Sequence, residues 1–355
     1  MSIVQVARED IRKLRPYEAA VQVDDTIRLN ANEAPWRSSG EAFRRPLNRY
    51  PEIRPMKLGA LLAQRYGCQP QNLLVTRGTS EAIDLLIRVF CEAGRDNLVT
   101  TSPTFSMYEH YAVIQRAELR QVETRADNDF AVDAAAVLSR CDEDTKLIFL
   151  CSPNNPTGTL IPRQVLVEIL RQRQGRSAVV IDEAYIEFAD EPSTVELLDQ
   201  FDNLIVLRTL SKALAYAGAR CGSVIASADV IRMLNAVQAP YALATPVVEC
   251  VENALQAQNL DEAARWVVTT VAERERLCES LEGFTFVKRI WPSAANFILV
   301  EVDGAKDLMR QSKSDKVLLR YFGGSLENCV RITVGNREEN NRLIASLQRL
   351  ESGRE

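Results

Sequence analysis

The chain has 355 residues, 46% of them hydrophobic and 26% charged, an ordinary composition for a globular protein long enough for about two domains. A net charge of −5, from 43 basic and 48 acidic residues, argues against nucleic acid or an anionic membrane as the main partner, and no apolar run of about 18 residues offers a transmembrane helix. The single histidine, His110, excludes a multi-histidine metal cluster, so no metal is expected, and a Ser-His-Asp triad would have to use it.

The first residues, MSIVQVAREDIRKLRPY, carry acids and lack an apolar core stretch, so they do not read as a secretory signal, and the cytoplasm is the expected compartment. The N-terminal segment, with Pro35, Pro46, Pro51 and Pro55, reads as an extended, irregular arm that wraps a neighbour or lies on a smaller domain. Asn72 to Thr76 is a predicted strand that turns through Arg77-Gly78-Thr79 into a helix with Ile83, Leu86, Ile87 and Phe90 on one face. Further strands are predicted at residues 97–101, 146–151, 177–181, 203–208 and 222–226, with helical stretches between most of them, such as 163–171. This alternation predicts an α/β fold with a large domain, residues 30–245, built on a mainly parallel sheet flanked by helices. From about residue 246 the pattern changes. A long helical run to residue 282 precedes shorter strands at 284–289, 296–300 and 329–334 and a last helix at 337–350. Residues 246–355 therefore read as a smaller α+β domain, grouped with the arm of residues 1–29. Eight cysteines without Cys-x-x-Cys spacing are expected to be reduced and packed.

In open α/β sheets, ligands sit at the carboxyl ends of the strands, and the unusual polar residues collect there. One strand ends in Gly78-Thr79-Ser80, one in SPNNPTG with Asn155, one in Asp182-Glu183-Ala184-Tyr185, and one in Thr209-Leu210-Ser211-Lys212 with Arg220 beyond. Taken singly, each is a common cap or turn. Taken together, they match the needs of pyridoxal 5'-phosphate. Its aldehyde needs an amine that forms and exchanges a Schiff base, here Lys212. The ring nitrogen needs a buried carboxylate, Asp182, and the ring oxygen needs donors, Asn155 and Tyr185. The phosphate needs the amides and hydroxyls of Gly78, Thr79 and Ser80, the hydroxyls of Thr209 and Ser211, and the forked cation of Arg220.

SPNNPTG, DEAYIEF, RTLSKA…AGARCG and RITVGNREEN resemble the aspartate-aminotransferase-like superfamily. LNANEAPW, NRYPE, SPTFSMY and SAANFILV narrow the resemblance to the histidinol-phosphate aminotransferase family, over nearly the whole chain. The resemblance implies an aspartate-aminotransferase-like fold. It implies reversible amino transfer between L-histidinol phosphate and 2-oxoglutarate, giving imidazole-acetol phosphate and glutamate by a ping-pong route. It gives Lys212 the proton shuttle at the substrate, stacks Tyr108 on the cofactor ring, and sends Tyr50 to the cofactor phosphate of a neighbouring subunit, hence a homodimer. Arg331 and Arg320 would hold the anionic end of the substrate, and Tyr17 and Asn32 would shape its pocket. The family usually carries an acidic residue after the arginine matched by Arg320, where this chain has Tyr321 and then Gly323-Gly324. That departure leaves open an aromatic-amino-acid aminotransferase or an amino-acid-phosphate decarboxylase on the same scaffold. A non-enzymatic ligand-sensing module lacks the basic DNA-binding segment it would need.

Overall fold

The structure is a computed structural model that describes residues 2–17, 22 and 26–353. Seven strands form the large sheet: β1 (Leu73–Thr76), β2 (Asn97–Ser102), β3 (Glu118–Glu123), β4 (Thr145–Cys151), β5 (Ala178–Asp182), β6 (Leu204–Thr209) and β7 (Gly222–Ile225), in the spatial order β1-β7-β6-β5-β4-β2-β3. Pairing is parallel from β6 through β5, β4 and β2 to β3, and β7 runs antiparallel to both β6 and β1. The central strands are buried on both faces, which is why they read as unbroken apolar runs. Successive residues serve opposite layers. Ile148, Leu150, Val179, Ile181 and Val206 pack with Leu58, Leu62, Leu166 and Ile169 on one side. Leu147, Phe149, Val180, Ile205 and Leu207 pack with Ile83, Leu86, Ile231 and Leu234 on the other.

The smaller sheet, β8 (Val287–Ile290), β9 (Phe297–Val302), β10 (Arg320–Tyr321) and β11 (Cys329–Thr333), is antiparallel in the order β10-β11-β9-β8. Ile298, Val300 and Val330 bury against Leu308 of the helix Ala305–Ser314 and against Leu343 and Leu347 of the helix Arg337–Ser352. That last helix opens on a reciprocal capping box between Asn336 and Glu339.

Two expectations shift. The helix Thr245–Ala254 buries Val248 and Val251 in the large-domain core, and the helix Ala257–Glu282 places Ala263 there but Leu277 and Leu281 in the small-domain core. One helix thus spans both domains, and the change expected at residue 246 falls within it. The beginning of the arm lies on the large domain rather than on the small one. Ile3 and Ala7 fill the apolar layer of Ile83 and Leu86, the Ile3 N–H donates to Asp202, and the Arg8 guanidinium donates to the Arg88 carbonyl. No helix among the described residues is long and apolar enough to cross a membrane.

Candidate active site

A cavity of about 720 Å³ opens at the carboxyl ends of the large-sheet strands and is closed on one side by the small domain. Of the residues singled out in the sequence, Thr79, Ser80, Tyr108, Asn155, Asp182, Tyr185, Thr209, Ser211, Lys212, Arg220, Arg320 and Arg331 all line it.

One end is an anion cradle. Gly78 opens the helix Gly78–Phe90 at φ +74°, and a Cβ there would sit 2.8 Å from a guanidinium nitrogen of Arg220. A Cβ on Gly222 would come 2.9 Å from the Gly78 carbonyl carbon, so both glycines are needed to bring β7, the helix start and Arg220 together. The helix start leaves its first amides free, and Thr79 and Ser80 bring hydroxyls. The Thr209 hydroxyl donates to Ser211 Oγ at 3.0 Å and accepts the Ser211 N–H, ordering the turn before Lys212. Arg220 donates to the Ala217 carbonyl and has no carboxylate partner among the described residues.

Asp182 ends β5 with 2% exposure. Its carboxylate accepts from the Tyr108 hydroxyl at 2.9 Å and from the Ala184 N–H at 3.2 Å. Burial pushes its pKa up to about 6, and these donors offset the shift only in part. A buried acid of this kind, with no ion-pair partner among the described residues, fits the protonated nitrogen of a ring. Lys212 is half-buried with its amine 5.6 Å over the Tyr185 ring, and that amine makes no hydrogen bond or ion pair among the described residues. Burial first, and then the charges of Arg331 and Arg220, lower its pKa, so the amine is biased toward its nucleophilic form.

Asn155 joins the two domains. Its amide nitrogen donates to the Tyr185 hydroxyl at 3.4 Å, and its amide oxygen accepts from Arg331 at 2.5 Å. The turn that carries it is clasped from the small domain: a Cβ on Gly158 would strike Ser293 at 2.3 Å, and the Ala294 N–H donates to the Gly158 carbonyl. Arg331 and Arg320 face each other across β11 and β10 as direct cross-strand partners. Both guanidiniums lie over the Phe322 ring, neither has a carboxylate partner among the described residues, and the buried Arg331 Nε has no acceptor. Two like charges opposite each other oppose sheet pairing, and the pair has the chemistry to receive an anion.

Four predicted residues are not in the lining of this cavity: Gly78, at the start of its helix beside Arg220, and Tyr17, Asn32 and Tyr50. Tyr17, Asn32 and Tyr50 are exposed. The Tyr50 ring stacks on Tyr241 at 4.8 Å, and its backbone N–H donates to Glu33. Tyr108, expected to stack on a ligand, is fully buried with its own ring stacked on Phe149, and its hydroxyl bond to Asp182 was not foreseen. Phe105 and Phe322 also line the cavity without having been singled out, although SPTFSMY and the residue after Arg320-Tyr321 marked their places.

The donor set, the glycine-shaped cradle and the unpaired acid together fit pyridoxal phosphate. A family model described as aminotransferase class I and II matches residues 23–347. The chain is 41% identical over 357 aligned positions to the histidinol-phosphate aminotransferase of Xylella fastidiosa strain 9a5c, covering 99% of this chain and 98% of that one. It is 39% identical to the enzyme of the same name from Pectobacterium carotovorum subsp. carotovorum, covering 98% of both chains. Among solved structures it is similar to the histidinol-phosphate aminotransferase of Sinorhizobium meliloti in complex with pyridoxal-5'-phosphate. The TM-score is 0.79 at 23% identity, with 87% of this chain and 84% of that one covered.

Proposed function

The chain belongs to the class I and II aminotransferases. From that premise we propose that it transfers an amino group reversibly between L-histidinol phosphate and 2-oxoglutarate, with pyridoxal phosphate as cofactor, in histidine biosynthesis. The observation that carries the reading is the convergence in one cavity of the unpaired Lys212 amine, the buried Asp182 acid and the facing pair Arg320 and Arg331.

When bound, pyridoxal phosphate supplies an aldehyde that takes up the amino group and a ring that accepts the electron pair left at the substrate Cα. The Asp182 carboxylate holds a proton on the ring nitrogen. Thr79, Ser80, Thr209, Ser211 and Arg220 hold the phosphate, and Asn155 and Tyr185 donate to the ring oxygen. Lys212 Nζ would hold the aldehyde and would serve as the base that moves the proton between the substrate Cα and the cofactor carbon that takes up the amino group. Arg331 and Arg320 take the substrate phosphate in one half-reaction and a carboxylate in the other, since a guanidinium fork accepts either. The two substrates share the site in turn, which gives ping-pong kinetics.

A homodimer completes this reading, with Tyr50 reaching the partner's cradle. It is supported by the exposure of Tyr50 and, in the same stretch of sequence, of the large apolar residues Ile27, Leu29, Trp36 and Met56. Tyr17 and Asn32 shape the substrate entrance. The eight unpaired thiols suit a cytoplasmic enzyme. The test follows the visible absorption of the loaded protein while histidinol phosphate, phenylalanine, tyrosine and phosphothreonine are each added alone. Histidinol phosphate should bleach it fastest. Faster bleaching by phenylalanine would move the reading to an aromatic aminotransferase, and carbon dioxide release from phosphothreonine would move it to a decarboxylase.

A further inference from the structure

Directly behind the acid and the phosphate hydroxyl lies a second, buried layer of charge. Asp182 lines the cavity, and the next residue, Glu183, points away from it and is 1% exposed. On the adjacent strand Thr209 lines the cavity and its predecessor Arg208 points away, 7% exposed. The two hidden side chains meet across the sheet at 3.4 Å. Every acceptor position of Glu183 is used: one oxygen takes the Thr194 N–H at 2.6 Å and the Thr194 hydroxyl at 2.7 Å, and the other takes the Ser193 hydroxyl and Arg208. Arg208 goes on to Glu187 at 2.6 Å and covers the Tyr66 ring, and Glu187 faces Arg65 at 3.9 Å.

We propose that Glu183 and Arg208 are positioning residues for the active site, bolting the tips of β5 and β6 at one spacing so that Asp182 and the Thr209–Lys212 turn grip opposite ends of one small ligand. Stability alone is a poor explanation for the arrangement. Buried ion pairs add little over apolar packing, and this one leaves Arg208 Nε and the Tyr66 hydroxyl buried without partners. Its placement is specific, because each member is the chain neighbour of a cavity residue on a different strand. Asp182 is faced by Tyr108 and Lys212 on the cavity side, by Cys151 on β4 and by Glu183 behind. Glu183 is the carboxylate that acts on Asp182 from the far side, and Arg208 faces it there.

The inference rests on the cofactor reading above, and its test separates the two. The variants are Glu183→Gln, which keeps size and loses charge, and Glu187→Gln, at the partly exposed far end of the chain of charges. Each is loaded with pyridoxal phosphate and measured for cofactor Kd, for the pH at which the visible band titrates, and for kcat and KM. Glu183→Gln is expected to raise Kd about tenfold or more and to lower the titration midpoint by about 0.5 pH unit, because loss of a negative charge disfavours bound protons. Its kcat should fall while KM for histidinol phosphate stays within about threefold, since Arg320 and Arg331 belong to the other domain. Glu187→Gln should move the same quantities the same way, by less. A purely structural role would lower the melting temperature and leave midpoint and Kd alone. That result in Glu183→Gln, or in Glu187→Gln should the first variant not fold, overturns the proposal. A wild-type protein that forms no visible band with the cofactor sinks both readings, whereas a normal band with unmoved variants sinks this one only.

Discussion

Replacing Asp182 by Asn should stabilise the cofactor-free protein while crippling the loaded one. The carboxylate is 2% exposed, and burial holds its pKa near 6 instead of 3.8. The folded state therefore keeps a proton that the unfolded chain releases between those two values. Stability falls as pH rises through that window, and above about pH 6 the full penalty is present. A shift of about two units corresponds to about 3 kcal/mol. The amide has no such penalty but can lose one hydrogen bond among Tyr108, Ala184 and itself, worth about 1 kcal/mol. The net expectation is cofactor-free Asp182→Asn more stable than wild type by about 2 kcal/mol at pH 8, with the advantage vanishing toward pH 4. Urea unfolding of stripped protein at several pH values measures it. With cofactor present the sign reverses: removing one partner of a buried ion pair should weaken cofactor binding by about 10²- to 10³-fold. A variant that is less stable at pH 8, or a difference that does not change between pH 4.5 and pH 8, would refute the claim that Asp182 is strained by burial while it awaits a cation.

Borohydride reduction of the loaded enzyme should fix the cofactor mass on the peptide containing Lys212, and mapping to any other lysine would remove that residue from its role. Arg331→Gln should raise KM for histidinol phosphate about 100-fold through loss of a charge-assisted fork. It should leave the melting temperature of the free protein unchanged or higher, because the facing charge of Arg320 is relieved; a clear drop would contradict the anion-receptor assignment. Gly222→Ala, which pushes a methyl to 2.9 Å from the Gly78 carbonyl carbon, should cost about 1–3 kcal/mol and weaken cofactor affinity, read by absorbance titration. Mixed Lys212→Ala and Tyr50→Ala subunits should recover up to about a quarter of wild-type activity, because half of the dimers then contain one intact shared site. No recovery would end the in-trans role of Tyr50.

The large sheet was legible because burial on both faces leaves β4, β5 and β6 as apolar runs, each ending abruptly in the polar residues that form the cavity. β3 escaped for the opposite reason. It is an edge strand with Val122 alone buried, and Glu118, Arg120 and Glu123 give it the charged pattern that protects an open edge. Single residues at strand tips could be assigned from chemistry, but pairings between distant segments could not. The Tyr108–Asp182 bond joins residues 74 apart. The register that sets Arg320 opposite Arg331 depends on a two-residue strand with no pattern of its own. The position of the arm turned on Ile3 and Ala7, two apolar residues whose core neighbours, Ile83 and Leu86, lie some 80 residues further on. Glu183 was quoted in the sequence as part of a turn, and nothing in its neighbourhood marked it as buried, because its counter-ion Arg208 sits in an otherwise apolar strand.

The unneutralised face formed by Arg320 and Arg331 has a practical consequence for bench work on this enzyme. Two forked cations over one Phe322 ring should take up a tetrahedral oxyanion that the medium provides. On the proposed reading, sulfate from salt fractionation or inorganic phosphate from a buffer should then compete with the substrate at this pair. Apparent Michaelis constants measured in such media will scale with the salt chosen, and comparison between laboratories requires a zwitterionic buffer with a monovalent counter-ion.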